Sequence, residues 1–242
     1  MNAAERTLLD AATRPYLEAG RYAYHFARGK LGRDPVFFSL LRLGLIRDEA
    51  RLLDLGCGQC LLGALLNVAP RLFENGDWPS AWPPPPRDTV FHGIERLPSN
   101  LARARRALGS AVSVEAGDIC ALPFPPADVI VILDVLHYLP RDRQDQVLSK
   151  AAASLGLHGR LLLRVADAGA GLGFFRTRIG DRIGGLLRGE AWIGHHHRAL
   201  SDWTSSLEAI GFRVEQQPMS EGTSFANVLL VADKVGANGE QR

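Results

Sequence analysis

The residues best placed to do chemistry cluster in one short stretch, RLLDLGCGQCLLGALL, at positions 51–66. An apolar run ends near Asp54, a turn carries Gly56 and Gly58, and a helical pattern starts at Leu61. Glycine accepts backbone angles closed to other residues and lets a ligand approach the main chain closely. At the carboxyl edge of a parallel sheet, a strand, glycine turn and helix in this order form a site for nucleotide-like ligands. Asp54 then turns a carboxylate toward the ligand's polar end. Three chemistries compete for such a turn. A phosphate loop needs a lysine after its glycines, and none follows here. A dinucleotide fingerprint needs a third glycine where Leu61 stands; the next one is Gly63. The pair Cys57 and Cys60 has C-x-x-C redox spacing, but Asp-Leu-Gly precedes it and the chain is far larger than a simple redox domain.

Three more acids, Glu95, Asp118 and Asp134, each stand at or just after the end of an apolar run. With them the segment LLDLGCGQCLLG resembles the first motif, D-x-G-x-G-x-G, of the class I S-adenosylmethionine-dependent methyltransferases. GIE at 93–95, AGDI at 116–119, DVIVILDVLHYLP at 128–140 and the C-terminal hairpin extend the resemblance over about residues 50–232. It implies S-adenosylmethionine as cofactor. It assigns Glu95 to the two ribose hydroxyls, Asp118 to the adenine amino group, the Ile119 amide to a ring nitrogen and Asp134 to the methionine end. Gly56, Cys57, Gly58 and Arg96 join the same cofactor-binding set. The aromatic and basic N-terminal segment corresponds to a lid over the cofactor, with Tyr22 or Tyr24 facing the sulfonium and Arg28 or Lys30 pairing with the methionine carboxylate. Two departures stand out. Cys60 replaces the third motif glycine, and Glu95 lies 41 positions after Asp54, about twice the family's usual interval. The proline-rich insertion at 71–88 accounts for the excess if it loops out of the sheet.

Methyl transfer from a sulfonium is a direct displacement, so alignment of the reactants is the main contribution asked of the protein, worth ~7–11 kcal/mol. His137 is the candidate base, its neutral imidazole able to take a proton near pH 7; Tyr138 beside it is the second candidate. The run His195-His196-His197 offers no completed metal site, because three consecutive residues rarely converge on one ion. Within 172–188, Phe175, Ile179, Ile183 and Leu186 or Leu187 fall on one helical face, with arginines mostly elsewhere. An apolar floor with an arginine rim suits a hydrophobic small-molecule acceptor that carries an acid or is tethered to an acidic carrier protein. The whole sequence is similar to methyltransferases of bacterial pigment and polyketide-like biosynthesis. Neither [DN]-P-P-[YFW] nor a Pro-Cys nucleophile follows the fourth strand, and the net charge is only +2, so no nucleic-acid partner is expected. An RNA methyltransferase and an NAD(P)-dependent oxidoreductase remain the rival readings.

These residues need a scaffold that brings strand ends to one edge. Short apolar runs at 51–55, 90–94, 112–115, 128–133 and 160–165 read as strands buried on both faces. Helical patterns at 61–69, 99–108 and 141–155 alternate with them, which implies βαβ units. A helix at 201–210 and strands at 212–216 and 225–232 with no helix between them give an antiparallel end. The expected fold is α/β: a Rossmann-like three-layer sandwich with a mostly parallel seven-stranded sheet, an antiparallel C-terminal hairpin and an N-terminal helical lid. The expected organisation is a lid at 1–48 and a methyltransferase domain at 49–242, with insertions at 71–88 and 167–198. With 46% apolar and 22% charged residues in 242, the composition is that of an ordinary globular chain. Acids near the N-terminus argue against a signal or transit peptide. No apolar run approaches the ~20 residues of a membrane span, and the three cysteines are expected to be reduced. A cytoplasmic location is the expectation; nothing in the sequence specifies the oligomeric state.

Overall fold

The computed structural model describes residues 1–166, 196–219 and 227–236. The 172–188 stretch, His195 and the turn containing Gly222 lie outside the described residues. Seven strands follow the order β3-β2-β1-β4-β5-β7-β6. The chain divides into two compact units, Met1–Leu122 and Pro123–Arg242.

In the first unit, α1 (Ala3–Thr13) opens on a reciprocal cap. The Asn2 side chain accepts the Glu5 N–H at 2.9 Å, and the Glu5 carboxylate accepts the Asn2 N–H at 2.8 Å. A 3-10 turn, Arg14–Leu17, leads to α2 (Arg21–Arg33). Asp34 then caps α3 (Pro35–Arg42); Asp34-Pro35 reads in the sequence as a cap followed by proline at the first helical position, and the structure has that arrangement. Next come β1 (Arg51–Leu55), α4 (Leu61–Glu74), β2 (Val90–Glu95), α5 (Pro98–Leu108) and β3 (Ser113–Ala116). All but the first residue of β1 are buried, as the apolar run implied. The strands pair in parallel, with Asp54 opposite Gly93 and Glu95 opposite Ala116. Helix α4 continues through Pro70, where the sequence pattern was expected to stop. Buried Leu72 keeps the extra turn packed, which offsets the backbone hydrogen bond that proline removes.

The four-proline run reads in the sequence as extended polyproline II in a surface excursion, but the insertion packs inward. Trp78 and Trp82 are buried, their rings 5.4 Å apart and nearly perpendicular. The Trp82 ring meets Phe38 at 5.7 Å, and the Trp78 indole N–H donates to the Pro83 carbonyl at 2.9 Å. Pro85 and Pro86 are buried as well. Two indoles carry too much apolar area to stay solvated, and prolines pack against them with no N–H to satisfy. The insertion lengthens the connection without moving Glu95 from the end of β2.

The second unit contains β4 (Ala127–Leu133), α6 (Arg141–Ser154), β5 (Leu155–Ala166), α7 (Leu200–Ala209), β6 (Phe212–Pro218) and β7 (Asn227–Lys234). Strands β4 and β5 are parallel, and β5, β7 and β6 pair antiparallel in that order. The expected C-terminal hairpin is therefore present. Strand β5 begins at Leu155 rather than at Arg160. Its first residues, LGLHG, have the composition of a turn, with His158 at φ 62°, and a register shift between Ala127 and Val129 absorbs the irregularity. Among the described residues no helix is long and apolar enough to cross a membrane.

Gly63 shows how tightly α4 is seated. A Cβ there would stand 2.7 Å from Cγ1 of Val112 and 3.3 Å from the Phe91 ring, and Val112 is buried and stiff at χ1. Gly63→Ala, which gains up to ~1 kcal/mol in an open helix, should instead lose about 1–3 kcal/mol through overpacking. Urea denaturation of the two proteins decides the sign.

Candidate functional site

The glycine bend connects β1 to α4. The N–H groups of Gly56 and Cys57 both donate to the Ile94 carbonyl, at 2.8 and 3.2 Å, so the bend closes on the end of β2. The next donor, Gly58 N–H, goes to Glu95 Oε2 at 2.8 Å, while Glu95 Oε1 accepts the Leu97 N–H at 2.7 Å. One carboxylate thus holds two loops, and each oxygen keeps a lone pair for a further donor. Gly56 and Gly58 adopt φ 76° and 58°, angles that suit glycine. Cys60 adopts φ 58° and ψ 43°, which costs a residue with a Cβ about 1–3 kcal/mol.

Asp54 and Glu95 are both buried, 5% and 7% exposed. Burial, and then the negative charge of Glu95, push the Asp54 carboxyl up to about 7. Two acids withdrawn from water beside a glycine bend offer acceptors to N–H or O–H donors. The side-chain Oε1 of Gln59, itself buried within the bend, has no hydrogen-bond partner among the described residues. Space is open above Gly58, where a Cβ would meet nothing within 4 Å.

The cysteine pair reads differently. Cys57 and Cys60 sulfurs lie 3.4 Å apart. The hydrogen bond with Cys60, then burial, hold the Cys57 thiol well above its ordinary range. The contact with Cys60 and burial thus disfavour the thiolate that dithiol exchange uses. The Cys57 sulfur fills the place a Cβ on Gly93 would take, 2.6 Å away.

The loop after β3 adjoins this region. Gly117 N–H donates to the Glu95 carbonyl at 3.0 Å. Asp118 is exposed, its Oδ1 accepting the Cys120 N–H at 2.8 Å, and Ile119 is buried. Arg96 is exposed. Asp54, Cys57, Gly58, Glu95 and Asp118 are therefore gathered around neighbouring strand ends. Tyr24 and Lys30 sit on α2, where the Tyr24 ring contacts His25 and Lys30 pairs with Asp34 at 2.7 Å. Arg28 pairs with Asp10.

In the second unit, Asp134 directly follows β4, at φ 57°. Its carboxylate receives a two-point contact from the guanidinium of Arg164, a buried residue of β5. His137 lies in the 3-10 turn Leu136–Tyr138, 4.1 Å from the Tyr138 ring and stacked on His197 at 5.3 Å with 8° between planes. Its carbonyl accepts the His196 N–H at 2.7 Å. Buried Gln144 organises this turn. Its amide nitrogen contacts the carbonyls of Leu136, Leu139 and His196 at 2.7–3.0 Å. Its amide oxygen accepts from Arg198, which also reaches Asp145 and the Arg141 carbonyl and lies over the Trp203 ring. Gln144, Arg164, Arg198, Gln59 and Tyr16 were not singled out from the sequence. Gln144 was legible as a polar residue on the buried stripe of α6 with Val147, Leu148 and Ala151. Among the described residues no group of three His, Cys, Asp or Glu could hold a metal.

No protein-family model matches the chain. It is 32% identical over 132 residues to the carboxy-S-adenosyl-L-methionine synthase of Chromohalobacter salexigens, a match over 50% of this chain and 43% of that one. The match therefore spans less than half the length of that curated relative. The magnesium protoporphyrin IX methyltransferase of Synechocystis PCC 6803, solved with bound S-adenosylhomocysteine, superposes with a TM-score of 0.56 at 19% identity, covering 88% of each chain. Human N-acetylserotonin methyltransferase, in complex with S-adenosylmethionine, superposes with a TM-score of 0.53 at 16% identity, covering 87% of this chain and 54% of that one. The fold is that of class I S-adenosylmethionine-dependent methyltransferases.

The raised Asp54 carboxyl makes stability depend on pH. An unfolded aspartate titrates near ~3.9 and the folded one at about 7, so between these values the folded chain holds the proton more tightly. Stability from this group is full below about pH 4 and is lost as pH rises through about 7, on the order of 4 kcal/mol in all. Asp54→Asn should flatten the fall of the urea midpoint between about pH 4 and 7. An unchanged slope in that variant would contradict the assignment.

Proposed function

We propose that the chain transfers a methyl group from S-adenosylmethionine to a hydrophobic small-molecule acceptor, free or tethered to a carrier protein. The observation that carries this reading is the pair of buried carboxylates, Asp54 and Glu95, beside a glycine bend whose open face lies over Gly58. The cofactor, when bound, supplies an activated methyl group. The chain's own part is to bind and align. Glu95, with a free lone pair on each oxygen, is suited to accept two ribose hydroxyls. Asp118 would accept from the adenine amino group, and the Ile119 amide would donate to a ring nitrogen. The unpartnered Gln59 oxygen and the acid pair suit donor groups at the polar end of the cofactor. The same reading assigns Arg96, Tyr24 and Lys30 to the cofactor and, within the second unit, Asp134, which Arg164 contacts.

On the acceptor side His137 is the base and Tyr138 its neighbour. The stack on His197 and the Gln144 contacts fix the orientation of that turn. The net charge of +2 and the missing nucleobase-methylation signatures favour a small acceptor over nucleic acid.

Calorimetry with S-adenosylhomocysteine tests the cofactor assignment. Wild-type protein should bind it saturably. Glu95→Ala should weaken binding about a hundredfold and Asp118→Ala about tenfold, since charge-assisted hydrogen bonds contribute roughly 1.5–3 kcal/mol each; Glu95→Ala also releases the Gly58 and Leu97 amides and should lower stability. Unaltered affinity in both, or saturable nicotinamide binding in place of the homocysteine product, would overturn the reading. Once a panel of hydroxylated aromatic and acyl acceptors yields turnover, His137→Ala should lower kcat by ~10²–10⁴ and remove the acidic limb of the pH profile.

A further inference from the structure

Two glycines do not account for the shape of the bend. It uses three left-handed residues, and the third, Cys60, carries a side chain. The angle at Cys60 is controlled by the peptide plane between Gln59 and Cys60, because rotating that plane changes the Cys60 φ. Both ends of the plane are held. Its N–H donates to the Cys57 carbonyl at 2.9 Å. Its carbonyl, that of Gln59, accepts the phenolic O–H of Tyr16 at 2.6 Å. Tyr16 lies in the 3-10 turn between α1 and α2, far from the bend in sequence, and is fully buried. Burial holds its hydroxyl well above the ordinary tyrosine range, so it remains a donor at neutral pH.

We propose that Tyr16 is a positioning residue of the cofactor loop: its hydroxyl pins the Gln59–Cys60 peptide so that a cysteine can hold the left-handed place of the motif's third glycine. The N-terminal segment then shapes the ligand-free bend itself, beyond any covering of bound cofactor. The consequence for ligand binding rests on the methyltransferase reading; the consequence for the bend does not.

The experiment is a cycle of Y16F, C60G and the double variant with two readouts. The first is amide exchange at positions 58–61 in ligand-free protein. The second is the dissociation constant for S-adenosylhomocysteine. Y16F should speed exchange at position 60 roughly tenfold and weaken binding about three- to tenfold, each corresponding to loss of about one hydrogen bond. In the C60G background the same change should alter both by less than about twofold, because glycine takes the angle unaided. Equal effects in both backgrounds mean a merely structural tyrosine and overturn the proposal, as does no effect in either. If Y16F alone does not fold, recovery of folding in the double variant supports the proposal and continued failure overturns it. Absence of homocysteine-product binding by wild-type protein would defeat the proposed function, and the exchange cycle would still decide the role of Tyr16.

Discussion

One carboxylate sets the terms for the first unit. Glu95 accepts the amide of Gly58 through one oxygen and that of Leu97 through the other. It thereby joins the glycine bend to the start of the next crossover. A strand that must turn into a helix within a few residues exposes amides with no partner in either element. Here they are met by the last residues of β2: the Ile94 carbonyl takes two and the Glu95 side chain takes a third. The bend is therefore shaped by its neighbour in the sheet as much as by its own glycines. The parallel register that sets Leu55 opposite Ile94 is what makes this possible.

Concentrating acids there has a stability cost. Asp54 is buried next to Glu95, and its proton is held up to about 7 by desolvation and by that neighbour. A chain selected only for stability would fill these positions with apolar residues, because withdrawing a carboxylate from water costs several kcal/mol unless it is paired. Below about pH 7 Asp54 is neutral beside the Glu95 carboxylate; above it the two charges repel. Perturbed groups of this kind cluster at functional sites, which makes the region the candidate.

Much of this was legible in the sequence because it is local. Strand–glycine–helix order, apolar runs of buried-strand length and the cap at Asp34 each rest on neighbouring residues. The position of Glu95 was legible for a different reason: an insertion can vary in length without disturbing register, provided its ends return to the sheet. What could not be read was tertiary. Burial of Trp78 and Trp82 needs Phe38 and the prolines as partners. The continuation of α4 past Pro70 needs a buried place for Leu72. Arg164 in an apolar strand gave no sign that its partner would be Asp134, and Tyr16 was one aromatic among several until its hydroxyl was seen against Gln59. In each case the missing information is the identity of a contact distant in sequence.

The second unit solves an analogous problem with polar groups. In the turn carrying His137, the Leu136 carbonyl takes the Leu139 N–H and also the Gln144 amide, which gathers the carbonyls of Leu139 and His196 as well. Burying that amide leaves its oxygen needing a donor, which Arg198 provides. Burying Arg198 in turn requires acceptors for its other nitrogens, which Asp145 and the Arg141 carbonyl supply, and Trp203 covers its face. Such a network tolerates little substitution, since an unsatisfied buried member costs more than its hydrogen bond contributes. Its rigidity holds the His137 ring parallel to that of His197. The polar core around Gln144 thus has the same logic as the bend around Glu95: one buried side chain with several acceptors or donors fixes a loop that no regular element could hold.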